Sequence, residues 1–458
     1  MTVDRDVLVE IEESYRHAVV VFLDPEGYPL SVATEYRVDT GRGVIRLDPV
    51  AGEAAPPEGR EVSVMFSHIR PQAESGYDQR RYVTMWGRLQ RAGDGLEFAP
   101  ERASSWDETK APFFQYSEVT VPQARRYLGE LSRERGREVR PRLSPLWLFL
   151  RATRLPFLTA TFVPVALGVA AAALRDGLDV WLAILTLLGG AFVHLGLNVA
   201  NDVFDQLSGA DPANTTPTQF SGGSRVIHYG LLSLRTMALM SAGFYLAGIA
   251  IGLYLAATRG FWPLFWLGAV GVAISIAYTA PPLRLVHRGL GEIAVALGFG
   301  PIMLLGAYFV QARRFDLEPW LLSIPVAILI ALVLYVNEVP DLAGDAAAGK
   351  RTLPVRLSKE AVIRLYAGAL AVAYASIAVF AVTGLIARPA ILALATIPLA
   401  ARCVRGLRRD YEDPYALMFS TMGKNIQLHL YTGLLLLAGY LVSIIADGVM
   451  DPAPAFLL

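Results

Sequence analysis

The chain has 458 residues, 54% of them hydrophobic and 18% charged, with a mean hydropathy of +0.41. An average soluble domain carries about 25% charged residues, so the composition excludes an ordinary soluble globular protein. Basic and acidic residues number 41 each, which gives no electrostatic reason to expect a nucleic-acid partner, and the single cysteine, Cys403, excludes an intrachain disulfide or a cysteine-based zinc site.

The apolar surplus is uneven. Residues 1–140 are rich in charge and read as a soluble domain, whereas long apolar runs recur from Leu146 to the C-terminus. MTVDRDVLVEIEES has no apolar h-region, so no cleavable signal is expected and the first domain should be cytoplasmic. HAVVVFL, the turn DPEG and YPLSVATEYRV predict a hairpin; VIRL, EVSVMFS and YVTMWGRLQ, the last followed by the turn AGDG, predict further strands. VPQARRYLGELSRERGREVRPRL reads as a helix running into a basic linker, and the Pro and Arg content of Arg137 to Pro145 marks a boundary between domains 1–140 and 141–458.

About 30 Å of hydrocarbon needs roughly 20 apolar residues. Runs of suitable length predict about nine transmembrane helices, near 146–174, 179–204, 233–257, 261–280, 290–311, 319–340, 361–385, 389–403 and 426–446. The fold class is therefore a multi-pass all-α membrane bundle preceded by a soluble, mainly-β domain. With the first domain inside, the even-numbered connections and their flanks hold fourteen basic residues, from Arg225 to Lys424; the opposite connections hold Arg175, Arg259, Arg313, Arg314 and Arg388. The positive-inside rule then fixes the orientation in a cell (inner) membrane.

Two polar clusters end apolar runs on the basic side: Asn198, Asn201, Asp202, Asp205 and Asp211 in NVANDVFDQLSGAD, and Asn337, Asp341 and Asp345 in NEVPDLAGD. A lone acid at a helix end is usually solvated or a cap. Acids in membrane segments cost about 2.5–3.5 kcal/mol on insertion scales, so two clusters of similar spacing point to function. On a continuous helix Asn198, Asp202 and Asp205 share one face, as do Asn337, Asp341 and Asp345. Oxygen ligands of this kind suit Mg²⁺ held against a phosphate. The loop TPTQFSGGSRVIHYGLLS adds Arg225 after two glycines, and AAAGKRTLPVRL adds Lys350 and Arg351; these cations suit phosphate oxygens, with topology signals as the alternative. A secondary transporter also uses intramembrane acids, but near the midplane beside broken helices.

NVANDVFDQLSGAD, FSGGSRVI, YTAPPLRLVHRGLGE and NEVPDLAGDAAAGKRTLPVRL resemble the signature segments of the UbiA superfamily of intramembrane prenyltransferases, over about residues 145–446. Gly349 to Leu353 after Asp345 look most like the 1,4-dihydroxy-2-naphthoate polyprenyltransferases of menaquinone synthesis; Gly209 stands where a further Asp is often found, which leaves the role of Asp211 open. The resemblance implies Mg²⁺-dependent transfer of a polyprenyl group from an allylic diphosphate to an aromatic acceptor. The alternative acceptors are 4-hydroxybenzoate, a tetrapyrrole and a lipid alcohol. It implies Asp202, Asp205, Asp341 and Asp345 as catalytic metal ligands, with Asn198, Asn201 and Asn337 as ligands or supports and Arg225, Lys350 and Arg351 on the diphosphate. Tyr278 and Glu292 stand at the cytoplasmic rim, where an aromatic anchor and an ion-pair partner for Arg288 are the alternatives to direct roles. His194 reads as a hydrogen-bonded core histidine, and Arg151 and Arg154 as snorkelling anchors.

VFLDPEGYPLSVATEYRV and YVTMWGRLQ resemble the pyridoxamine 5'-phosphate oxidase-like split barrels, which often bind a flavin. That resemblance implies an FMN site, for which Arg46, Ser67 and His68 are candidates, or a barrel used for homodimerisation or regulation.

Overall fold

A computed structural model describes residues 3, 5–24, 29–48, 56, 61–71, 77–93, 95–109, 126, 128–139, 143–214 and 217–450. Most of the DPEG turn, Asp94 of the AGDG turn and Arg140 to Arg142 of the linker lie outside the described residues. The chain forms two compact units, Met1–Leu143 and Ser144–Leu458.

The N-terminal unit is built on strands β1 (Ala18–Leu23), β2 (Pro29–Thr34), β3 (Tyr36–Asp39), β4 (Val44–Leu47), β5 (Glu61–Pro71), β6 (Tyr77–Ala92) and β7 (Gly95–Asp107). They form one sheet in the order β2-β1-β5-β6-β7-β4-β3, and every adjacent pair is antiparallel. Alternation explains the inner face: Ala18, Val20 and Phe22 of β1 are buried with Val62, Val64 and Phe66 of β5 and Val83 and Met85 of β6. Helix α1 (Arg5–Ser14) adds Leu8 and Ile11 to this core, and the Tyr36 hydroxyl donates to the Ile11 and Tyr15 carbonyls at its end. The strand register places Arg46 opposite Glu97, level with Gln90, and Ser67 opposite Tyr82, so these residues stand towards opposite ends of β6. Arg46 is thus not brought to Ser67 and His68.

The C-terminal unit is helical. Among the described residues nine helices are long and apolar enough to cross a membrane: Leu155–Asp176, Val180–Ser208, Leu234–Arg259, Phe261–Thr279, Gly291–Ala312, Leu317–Asn337, Lys359–Thr383, Arg388–Asp410 and Pro414–Ala446. The expected fold class holds, with two instructive differences. The run expected to be one helix over 146–174 breaks at Arg154, whose φ of 52° ends the helix Pro145–Thr153 before a 3-10 turn begins the first span. The eighth span starts as a 3-10 turn, Arg388–Thr396, and then continues as the α-helix Ile397–Asp410, whose last turns carry Arg405, Arg408 and Arg409, so the apolar run ended before the helix does.

Small residues let these helices meet closely, since lipid tails supply no hydrophobic drive between them. A side chain at Gly168 would strike the Leu304 carbonyl, and one at Gly439 would strike the backbone at Ala390.

Candidate active site

The second span is one uninterrupted helix, so Asn198, Asn201, Asp202 and Asp205 reach the same end of the bundle. It stops at Gly209, where φ is 84°, and the turn delivers Asp211 to the same place. The sixth span ends at Asn337. Pro340 ends the possibility of a continuous helix, and a turn leads to the short helix Leu342–Ala347 carrying Asp345. The expected single helical face over Asn337, Asp341 and Asp345 is therefore a helix end, a turn and a new helix.

These segments surround one cavity of about 150 Å³. Asn198, Asn201, Asp205, Asp211, Asn337, Asp341, Asp345, Lys350 and Tyr278 line it. Lys350 sits between the two halves, its Nζ 3.6 Å from Asp205 Oδ2 and 3.4 Å from Asp345 Oδ1. All three side chains are nearly inaccessible. Burial opposes the Lys350 ammonium, but Asp205 and Asp345 outweigh it and hold its pKa well above the ordinary value. Burial raises the Asp345 carboxyl against the opposing pull of Lys350, and with the nearby Asp341 and Asp205 charges the result is pushed up to about 7.

The acids divide into two kinds. Asp202 is engaged by protein: the Ser224 N–H and hydroxyl donate to it, and Arg154 lies 3.1 Å from Oδ1. Asp341 likewise accepts from Asn214 Nδ2 at 2.8 Å and from the Gly222 N–H at 2.9 Å. In contrast, Asp205 Oδ1, Asp345 Oδ2 and Asn337 Oδ1 are buried without a hydrogen-bond partner among the described residues. Unpaired buried oxygens on one cavity are the donor set a hard cation wants, so the residues fit Mg²⁺. No three described acids, histidines or cysteines close around a common point. That fits an ion held by few carboxylates and completed by substrate oxygens and water.

Asp202 and Asp341 also hold the loop between them. Asn214 and Gly222 are tied to Asp341, Ser224 to Asp202, and the buried Arg225 donates to the carbonyls of Asp211 and Asn214. Arg225, expected on the diphosphate, thus binds backbone. Arg351 is exposed, with its N–H on the His287 carbonyl, and it does not line the cavity. Lys350 lies within 3.6 Å of both Asp205 and Asp345.

Gly223 shows how tightly the loop is seated. Its φ is 71°, and a Cβ there would lie 3.0 Å from both Asp202 Oδ1 and Asp211 Oδ1. Gly223→Ala is expected to destabilise the folded protein by about 1–2 kcal/mol through the left-handed backbone alone. It should also shift the acids and lower turnover. Thermal unfolding in detergent and a membrane assay read both; unchanged values would show that the loop does not press on the acids.

Sequence reasoning misread several neighbours. Arg154, expected as an anchor, bridges Asp202, Asn201 Oδ1 and the Asn198 carbonyl, and Arg151 donates to the Ser224 carbonyl. Asn198 Nδ2 donates to the Thr153 carbonyl, while Asn201 Nδ2 donates to Asp205 Oδ2. Arg288 binds the Pro282 carbonyl rather than Glu292. Glu338, not singled out, lines the cavity; burial and the Glu292 carboxyl push its pKa well above the usual carboxylate range. His194 is a hydrogen-bonded histidine as expected, 2.9 Å from Thr161 Oγ1, and it also lines the cavity.

A second cavity of about 580 Å³, almost wholly apolar, adjoins the first. His194, Leu197, Tyr278, Val295 and Phe299 line both, so the two cavities lie side by side.

The UbiA prenyltransferase family matches residues 161–425, more than half of the chain and both acidic segments. The chain belongs to the UbiA prenyltransferase family. It is a multi-pass membrane prenyltransferase. It is similar to the 1,4-dihydroxy-2-naphthoate octaprenyltransferase of Bacillus subtilis (strain 168), 28% identical over 298 residues covering 65% of this chain and 92% of that one. The enzyme of the same name from Mycobacterium tuberculosis is 32% identical over 246 residues, 54% of this chain and 80% of that one. A solved structure of a UbiA homolog from Archaeoglobus fulgidus bound to GPP and Mg²⁺ matches with a TM-score of 0.46 at 16% identity, covering 65% of this chain and 99% of that one.

Proposed function

We infer that the protein transfers a polyprenyl group from an allylic diphosphate to 1,4-dihydroxy-2-naphthoate, with Mg²⁺, in menaquinone synthesis. The observation that carries this reading is the meeting of Asp205 and Asp345 across Lys350 at one polar chamber that lies beside an apolar one. The acceptor is supported by the names of the similar enzymes from Bacillus subtilis and Mycobacterium tuberculosis.

Asp205 and Asp345 would hold the metal, with Asn337 supplying a further oxygen; Asp202 and Asp341 position the Asn214 to Arg225 loop. Bound there, Mg²⁺ supplies charge neutralisation for diphosphate oxygens. Lys350 meets the same oxygens as their charge grows, from a site already desolvated and fixed by two carboxylates. The bond from allylic carbon to oxygen breaks with its electron pair on the leaving diphosphate. The acceptor ring then bonds to the allylic carbon, and its aromaticity returns as the attacked carbon sheds its substituent, a proton or, at the carboxyl-bearing carbon, carbon dioxide. Leu197, Val295 and Phe299 lead the prenyl tail into the apolar chamber, which keeps water from the reacting carbon. Membranes offered polyprenyl diphosphate with 1,4-dihydroxy-2-naphthoate, 4-hydroxybenzoate or a lipid alcohol should yield, by mass spectrometry, the prenylated naphthalene product. Product from another acceptor alone would refute the assignment.

The N-terminal unit is proposed to be a split-barrel-type module on the cytoplasmic side of a cell membrane. Its antiparallel sheet supports the first part, and the basic bias of the connections around Arg225, Lys350 and Arg408 supports the second. Single cysteines introduced at Gly349 and Arg313 test the orientation, since native Cys403 is buried. A membrane-impermeant maleimide added to intact cells should label position 313 and miss position 349; the reverse pattern would invert the topology.

A further inference from the structure

The last span contributes a face to the site that neither acidic segment accounts for. Gly423, Ile426 and His429 recur at intervals of three on its helix and so point the same way. Ile426 and His429 line the polar chamber, and the Phe220 ring lies 3.5 Å from where a Cβ at Gly423 would be. Phe220 meets Phe157 edge to face at 6.4 Å, and both rings line the chamber. None of these four side chains lines the large apolar chamber. The polar chamber therefore has two apolar sides. One adjoins the tail's cavity, and the other ends in aromatic rings.

His429 is the polar group on the second side. It is 2% exposed, and its Nε2 finds no hydrogen-bond partner among the described residues. Its neighbours on the same helix are satisfied: Asn425 bonds the Tyr366 hydroxyl and the Leu332 carbonyl, and Thr432 bonds Thr396. His194, the other histidine on the chamber, has its bond to Thr161. Buried polar atoms are nearly always paired, so an unpaired nitrogen on this side of the chamber, away from the unpaired oxygens of the acidic segments, calls for a ligand of its own.

We propose that His429 seats the acceptor, through a hydrogen bond between its Nε2 and a ring hydroxyl, with the ring packed against Phe157 and Phe220. A hydroxyl both donates and accepts, so the bond forms with either tautomer of a neutral imidazole. The diphosphate and its tail make no call on this side. His429 is a binding residue for one substrate only.

This inference rests on the proposed transfer to a hydroxylated ring. It is tested in membranes with Mg²⁺, varying each substrate in turn for the wild type, H429L, H429Q and H429N. A lost hydrogen bond to a buried group predicts that H429L raises the acceptor KM about tenfold or more while the diphosphate KM stays within about twofold. H429Q, whose amide can reach the Nε2 position, should recover most of the loss, and the shorter H429N should not. An H429L acceptor KM within about twofold of the wild type, or both KM values rising together, would overturn the inference alone. If H429L fails to fold, the comparison of H429Q with H429N decides: equal acceptor KM values would overturn it. Wild-type membranes that prenylate no hydroxylated ring would overturn the proposed function, and this inference with it.

Discussion

Asp345→Asn is expected to lower the rate of prenyl transfer by about 10²- to 10³-fold, the usual loss when one part of the electrostatic stabilisation of a developing charge is removed, here a ligand to the metal that would neutralise the diphosphate. The side chain is nearly isosteric. It is held beside Lys350 Nζ at 3.4 Å, and its Oδ2 is one of the unpaired oxygens on the chamber. Folding should survive, because burial already disfavours ionised Asp345. Asp205→Asn should behave alike from the opposite half. Asp202→Asn should differ: its partners are Ser224 and Arg154, so the defect should appear in loop position and stability as well as rate. Transfer assays at equal expression, paired with thermal unfolding, separate the two classes. Near-normal, metal-dependent turnover by D205N and D345N would contradict the assignment of these acids.

Lys350→Met should be damaging in both respects. Breaking a buried ion pair from one side leaves uncompensated charge, which costs about 3–5 kcal/mol. Here the two remaining carboxylates, Asp205 and Asp345, would face each other across the vacated position. Part of that cost is avoided if one carboxyl takes up a proton. Turnover should fall by about 10²-fold from the lost contact to the leaving group. Added Mg²⁺ should restore thermal stability in part, because a cation can replace the ammonium between the acids. A variant of normal stability and normal turnover would show that Lys350 serves only the topology.

The span count and the two acidic segments were legible in the sequence because apolar length and intramembrane acids are local signals. The polar roles were less so. Arg154 looked like an anchor at the start of a span: Pro156 marks a break locally, but nothing local shows that the break turns the guanidinium to Asp202. Arg225 looked ready for phosphate, yet it binds the Asp211 and Asn214 carbonyls, a pairing fixed only when the loop folds back. Pro340 was visible, but the helical spacing of Asn337, Asp341 and Asp345 concealed the turn it makes. In the N-terminal unit the alternating strands were readable. The helix Arg5–Ser14 and strand β7 were missed: the first is short, and the second carries Pro100 and a run of charged and small residues that blur the alternation. His429 stood in an apolar run with no local partner pattern, and its orphaned nitrogen is evident only once the neighbouring helices are in place.

The central claim is that Asp205 and Asp345 together hold a divalent ion against the diphosphate. Mn²⁺, which shares the oxygen-ligand preference of Mg²⁺ and can be followed by electron paramagnetic resonance, tests it on the purified full-length protein with an unreactive prenyl thiodiphosphate. The wild type should bind Mn²⁺ in an analogue-dependent manner, and the D205N/D345N double variant, shown to be folded by its thermal transition, should not. Undiminished analogue-dependent Mn²⁺ binding by the double variant would contradict the account.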